Sequence, residues 1–340
     1  MMAAAAAHQQ QYIIFSSICY SFLVLVIFSS SFLSIVQPSA AALVKEQPLV
    51  LKYHNGALLK GNITLNLIWY GTFNPAQRSI IIDFIHSLYT NPNSGHHRNH
   101  PNTATPSPSV ASWWRTTSKY KNSRLVGGSE SNLILGKQLL LNKYSLGKSL
   151  KETHLRALSS KTMNTLRSIN VVLTSSDVFV DRFCMSRCAS HGSTTFTKSK
   201  NPKAAAAAAY VWVGNPETQC PGQCAWPFHQ PIYGPQTPPL ISPNNDVGVD
   251  GMIINLATVL AGTVTNPFRN GYFQGPQTAP LEAVSACTGA FGKGAYPGYP
   301  GEVLVDKVTG ASYNAHGMNG RKYLLPAMWD PQTSACRTLV

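Results

Sequence analysis

The chain has 340 residues, with 27 Lys and Arg against 13 Asp and Glu, a formal net charge of +14 with histidine neutral. That length buries a substantial core, as one large domain or two merged lobes, and that charge favours adhesion to polyanions. Seven cysteines make the compartment decisive, because thiols oxidise outside the cell and stay reduced inside it.

Residues 1–42 read as a secretory signal. An apolar run from Ile18 to Val36 leads to the small residues Ser39 to Ala42, which suit signal peptidase. The n-region has no Lys or Arg and the run is long for a signal, so an uncleaved anchor is the competing reading. Ser29 to Ser31 dilute the run and favour cleavage. The mature chain is then residues 43–340, secreted, soluble and free of the membrane, and it keeps every charged residue. Outside the cell the polyanion is an acidic polysaccharide or a membrane headgroup, and nucleic acid is not expected. The bland alternative is solubility alone, since cations are spread through Lys119–Arg124, Lys137–Lys151 and Lys198–Lys203.

In chain order, Leu49–Tyr53 and Ile63–Tyr70 read as strands, with His54-Asn55-Gly56 as the turn of a hairpin. Asn62-Ile63-Thr64 is an N-glycosylation sequon. Pro75 opens a helix capped by Asn74, its apolar face carrying Ile80, Ile81, Phe84, Ile85 and Leu88. Residues 91–109 are a polar insertion whose His96, His97 and His100 are at most a weak metal site. A short helix over Val110–Tyr120 carries Trp113 and Trp114. A strand follows over Asn132–Leu141, a helix over Leu150–Ile169 and a strand over Asn170–Thr174. Residues 197–209 are a second low-complexity insertion, expected as a surface loop, before a strand at Tyr210–Val213. Pro-rich loops fill 221–245, and Gly251–Thr265 reads as a helix stopped by Asn266-Pro267. Residues 268–301 are Gly, Pro and Tyr-rich, and Glu302–Asp306 with Lys322–Leu325 is expected to close the chain as a hairpin. The alternation predicts an α/β (α+β) fold: one large domain with a mixed sheet, flanking helices and long loops stapled by disulfides.

Signal cleavage removes Cys19 and leaves Cys184, Cys188, Cys220, Cys224, Cys287 and Cys336. An even count in an oxidising compartment implies disulfides, of which six cysteines allow about fifteen arrangements. The economical arrangement is Cys184–Cys188, Cys220–Cys224 and Cys287–Cys336. A four-cysteine zinc knot is the alternative, although its spacing is usually C-x2-C and both pairs here are C-x3-C.

Carboxylates are scarce, so Asp246 and Asp250 stand out before the 251–265 helix. They read either as a calcium or acid/base pair or as charges that start the helix, and the second is preferred. His191, His229 and His316 sit beside Ser193, Trp226 and Asn314. A triad of Ser193, His229 and Asp250 has no Gly-x-Ser-x-Gly elbow behind it, and no His-Glu-x-x-His occurs. Trp226, in a Pro-rich loop, is the tryptophan best suited to stack on a sugar ring. No cofactor and no metal are expected.

Leu49–Gly56, Gly61–Gly71, Phe183–Cys188, Gln219–Gly234, Asp246–Met252 and Tyr313–Gly317 together resemble the plant EXORDIUM family, the phosphate-induced proteins. The likeness covers roughly residues 45–340, and the insertions at 91–109 and 197–209 depart from it. It implies an apoplastic protein tied to cell expansion and to brassinosteroid or carbon-status responses, with no established reaction to carry over. The secretion signal, the basic balance and the lack of a coherent catalytic constellation favour binding, with a cell-wall polysaccharide or a cell-surface receptor as the expected partner. The runner-up is a wall-active hydrolase using Asp246, Asp250 and a loop histidine. A second likeness joins Thr258–Pro267 to secreted zinc peptidase-like proteins that read His-Glu-x-x-Glu-x-x-Thr-Asp-Pro. There the ligand and base positions fall on Thr258, Val259 and Gly262, none of which can hold zinc or act as a base. The expectation is a zincin-like scaffold that has lost its metal.

Overall fold

The computed structural model describes residues 48–89, 106–120, 130–162, 165, 167–197 and 205–340. The segment expected as a signal, residues 1–42, most of the first insertion and its three histidines lie outside those residues. Leu49–Val340 forms one compact unit.

Strand β1 (Lys52–Tyr53) leads to β2 (Gly61–Tyr70), the centre of the sheet. From Leu65 onward β2 is buried at every position, as a parallel strand covered on both faces must be. Leu65, Leu67 and Trp69 enter one core while Ile68 and Tyr70 enter another, the period of two that separates the faces of a strand. Helix α1 (Pro75–Leu88) follows, its N-cap Asn74 accepting from Gln77 N at 2.8 Å. A short helix α2 (Val110–Trp114) then places Trp113 and Trp114 in the first core. Strand β3 (Ser131–Leu141), β4 (Ser149–Leu150) and helix α3 (Glu152–Ser159) lead into β5 (Ser168–Thr174). After β6 (Phe179–Val180), strands β7 (Ala189–Thr197) and β8 (Ala205–Gly214) form a hairpin. Helix α4 is a single turn (Pro221–Cys224), and α5 (Val247–Thr265) is the long core helix. Strand β9 (Tyr272–Phe273) precedes a carboxyl-terminal region of short pairings.

The five-stranded sheet has the order β3-β2-β5-β8-β7. All neighbours run parallel except β7, which is antiparallel to β8 at one edge. Helices α1, α2 and α5 contribute to the larger core on one face, and α3 with the cysteine-bearing loops covers the other. The mixed sheet, flanking helices and three disulfides agree with the expected class.

Several local expectations do not hold. β1 pairs antiparallel with β9, not with β2, because the buried β2 takes parallel partners on both sides. The helix expected over Leu150–Ile169 stops at Ser159, whose carbonyl accepts from Asn170 Nδ2 at 2.7 Å. Its expected last turn belongs instead to β5, where Ile169, Val171 and Val172 are fully buried between β2 and β8. The alanines expected in a surface loop are β-structure: Ala205–Ala209 open β8 in register with Ser193–Thr197. The closing hairpin is also re-paired: Leu304–Val305 joins Ser312–Tyr313, and Lys322–Tyr323 joins Ala315–His316.

The six cysteines among the described residues are all paired, and two of the three bonds differ from the economical arrangement. The bonds are Cys184–Cys220, Cys188–Cys224 and Cys287–Cys336. The reason is geometric. Cys220 caps α4 and Cys224 ends it, so the two project from one face of a helical turn, with sulfurs 3.6 Å apart. That face meets the turn at Cys184–Cys188, and the bonds run across as two rungs of a ladder.

Candidate functional site

A cleft of about 1210 Å³ opens along the β7 edge of the sheet. Six consecutive residues, Cys188–Ser193, line it. Gly192 faces the Tyr210 ring and the α3 side, whereas His191 approaches Gly262 of α5 on the opposite side. The cleft therefore wraps around the strand and has two walls.

On the α3 wall, Glu152 accepts from Arg187 Nη2 at 2.7 Å and from the Tyr210 hydroxyl. Arg187 also donates to Ser190 Oγ at 2.6 Å and lies over the Trp212 ring. Burial raises Glu152, but the bonds from Tyr210 and Arg187 outweigh it and hold the carboxyl below its usual range. Burial and the Glu152 bond push Tyr210 up to about 12. The wall is an ion pair braced by a neutral phenol.

On the α5 wall, His191 Nε2 lies 2.8 and 3.0 Å from the two Glu282 oxygens, and Asn266 Nδ2 donates to Glu282 Oε1 at 2.7 Å. A nitrogen held by a carboxylate carries the proton, so Nε2 donates; Nδ1 is buried and has no hydrogen-bond partner among the described residues. Gly262 is what admits the pair, since a Cβ there would stand 2.7 Å from Glu282 Oε2. The position matched to a metal ligand is thus a bare stretch of helix backbone with a carboxylate against it. Thr258 donates its hydroxyl to Ile254 O at 2.8 Å and, with Val259, lines the cleft. Among the described residues no group of three or more His, Cys, Asp or Glu comes together to hold a metal.

Of the residues singled out in the sequence, His191, Ser193, Trp226, Thr258 and Val259 line this cleft, with the bonded Cys188, Cys224 and Cys287. Trp226 is half-buried, its ring 5.9 Å from Phe291. The others lie elsewhere. His229 is exposed, its Nδ1 3.0 Å from Gln230 O. Asp246 caps α5 by accepting from Val249 N at 2.8 Å and also takes Gln77 Nε2 at 3.1 Å. Asp250 is 2% exposed and accepts from Asn244 N and Nδ2 at 2.8 and 2.6 Å. Burial pushes it up to about 7 against those bonds, with the Asp246 charge adding to the rise. His316 stacks edge-on to Tyr313, and burial and then Lys322 lower it. Asn62 is exposed at the start of β2, its Oδ1 accepting from Asn132 Nδ2 at 3.2 Å. No histidine is a hydrogen-bond partner of Asp246 or Asp250 among the described residues.

Glu152, Arg187, Tyr210 and Glu282 are cleft residues that sequence reasoning passed over. One signal was available: with 13 carboxylates in the chain, a glutamate inside Leu281-Glu282-Ala283-Val284 needs a buried partner.

Residues 51–339 match the model of the phosphate-induced protein 1 conserved region. The chain is 67% identical over 317 residues to the protein EXORDIUM-like 2 of Arabidopsis thaliana, covering 92% of this chain and 97% of that one. It is 59% identical to the protein PHOSPHATE-INDUCED 1 of Nicotiana tabacum over 88% of this chain and 91% of the relative. Against the protein EXORDIUM of Arabidopsis thaliana, identity is 56% over 91% and 97% of the two chains. No solved structure matches.

Proposed function

The chain belongs to the phosphate-induced protein 1, or EXORDIUM, family, and we propose that it works in the apoplast as a secreted protein that promotes cell expansion by binding. The expected partner is wall polysaccharide, drawn by the net positive charge, or a cell-surface receptor, met by the cleft. One observation carries the binding reading. The carboxylates set into the two cleft walls are engaged, Glu152 by Arg187 and Tyr210 and Glu282 by His191 and Asn266, while Asp181, the third carboxylate of the lining, is exposed at the rim. Hydrolysis needs an acid or base poised to exchange a proton with substrate, whereas paired groups give a rigid, shaped surface. The net charge of +14 supports retention by acidic polysaccharide.

The hydrolase reading rested on Asp246 and Asp250, and the first caps α5 while the second is enclosed by Asn244. Asp250→Asn is therefore expected to leave the growth response intact in a folded protein; its loss would favour the hydrolase. Localisation and adhesion are tested together on isolated cell walls. The protein is expected in the wall fraction without residues 1–42, bearing a glycan at Asn62, and eluting as ionic strength rises toward about 1 M, where charge is screened within about 3 Å. Retention indifferent to salt would identify a structural wall component instead.

A further inference from the structure

We propose that the cleft takes an extended, acidic polypeptide segment, which adds to β7 as a further strand of the sheet. The inference rests on the binding reading above and names the chemistry of the receptor partner.

Side chains alternate between the faces of a strand, so a pocket on one face would touch every second residue. This cleft touches Cys188 to Ser193 without interruption, which places the strand's open edge in the cavity. Among the described residues, β7 makes no backbone hydrogen bond to any element but β8. In an antiparallel pair alternate residues turn N–H and C=O away from the partner, so the outer edge offers an unfilled ladder. Exposed edges are ordinarily blunted by Lys, Pro or a bulge. Ala189–Thr197 contains no Lys, Pro or carboxylate, and its register with β8 is unbroken.

The walls specify the occupant. An added strand points alternate side chains to the two sides. One set meets the α3 wall, where two cations, Arg187 on Glu152 and the exposed Arg156 beside Tyr210 and Glu152, outnumber the single carboxylate. Exposed Arg182 adds a further cation at the rim, with Asp181 the exposed carboxylate beside it. The other set meets Trp226, Thr258 and Val259. The fitting sequence alternates acidic and apolar residues.

The test uses the mature, disulfide-bonded protein and a fluorescent, end-blocked octapeptide alternating aspartate and valine. Binding is expected, weakening as salt rises. Methylating the backbone nitrogens on one edge of the peptide is expected to weaken it by about tenfold or more, and methylating the other edge to leave it unchanged, because a strand pairs along one side only. Arg156→Glu, an exposed change, is expected to weaken the aspartate peptide several-fold and to improve a lysine–valine counterpart. Amide exchange is expected to slow in Ala189–Ser193. No binding, equal effects of methylation on both edges, or protection elsewhere would overturn the proposal. So would displacement of the peptide by an oligogalacturonide protecting the same amides, which would make the cleft a glycan groove. The two readings fail separately: a peptide that does not bind to a protein still eluted from walls by salt removes only the strand-addition step.

Discussion

At one edge of the sheet β3 opposes β2 with a bulge: Leu65 pairs with Leu135 and Leu67 with Gln138, so Gly136 and Lys137 face the single residue Asn66. Asn66 Oδ1 takes the extra backbone donor, Lys137 N, at 3.0 Å. Gly136 is required, because a Cβ there would stand 2.5 Å from that same oxygen. At the other edge β7 follows β8 through nine residues without a shift and carries no lysine. The first edge is closed to pairing by its own sequence, through a bulge and a charge. The second is protected by its surroundings, two walls that exclude a neighbouring sheet but leave room beside the strand. An edge kept straight inside a cleft is available for recognition; a bulged one is not.

That asymmetry predicts where damage is felt. Replacing all four ladder cysteines, Cys184, Cys188, Cys220 and Cys224, by serine should cost the most, about 4 kcal/mol, since each bond closes a loop of separation 36. Denaturant melts should show the loss, and limited proteolysis should cut first near β7; initial cleavage at β3 would contradict the assignment of stiffness to the ladder.

Asp250 comes next, on the helix that backs the β7 wall. Its folded pKa of about 7 lies above the ordinary aspartate value, so the native state binds the extra proton and stability falls as pH rises from about 4 to 7. Over about 3 pH units that slope integrates to roughly 4 kcal/mol. Below about pH 4 the sign reverses, because Asp306, hydrogen-bonded by Lys322, and Asp177, hydrogen-bonded by Lys148 against its own burial, are held near about 2 and lose their pairs on protonation. Thermal melts should peak near about pH 4 to 5, and Asp250→Asn should flatten the limb above the peak. A limb unchanged in that variant would assign the proton elsewhere.

Glu282→Ala should follow at about 2 kcal/mol, because it strands both His191 and Asn266 in a buried site. Glu282→Gln should recover part of that, and a melting temperature equal to wild type for the alanine variant would remove the pair from the wall. The smallest effect belongs to the bulged edge: Lys137→Ala, an exposed change at the bulge, should cost under about 0.5 kcal/mol. An equal or larger loss than at Glu282 would invert the comparison.

Legibility in the sequence followed the range of the signal. Asn74-Pro75, the Asp246 cap and the β3 run were readable because a few adjacent residues set them. The helix expected to reach Ile169 failed because Ser168 and Ile169 are taken into β5 by pairing with β2, and Ile169 with β8 as well, contacts that no local pattern shows. The partners of β1 and the rungs of the ladder depend on contacts 36 or more residues away, where spacing along the chain carries no preference. The cleft was half-visible: His191 and Trp226 stood out by residue type. Glu152 and Glu282 became meaningful once folding brought Arg187 and His191 to them.

The two rungs between the Cys184–Cys188 turn and α4 have a mechanical meaning. A single cross-link between two segments is a pivot, about which each can still swivel. Two cross-links set four residues apart on each segment remove that rotation, so turn and helix move as one plate. Cys188 is the residue before β7, and the strand therefore leaves that plate in a set direction, much as a ruler leaves a vice.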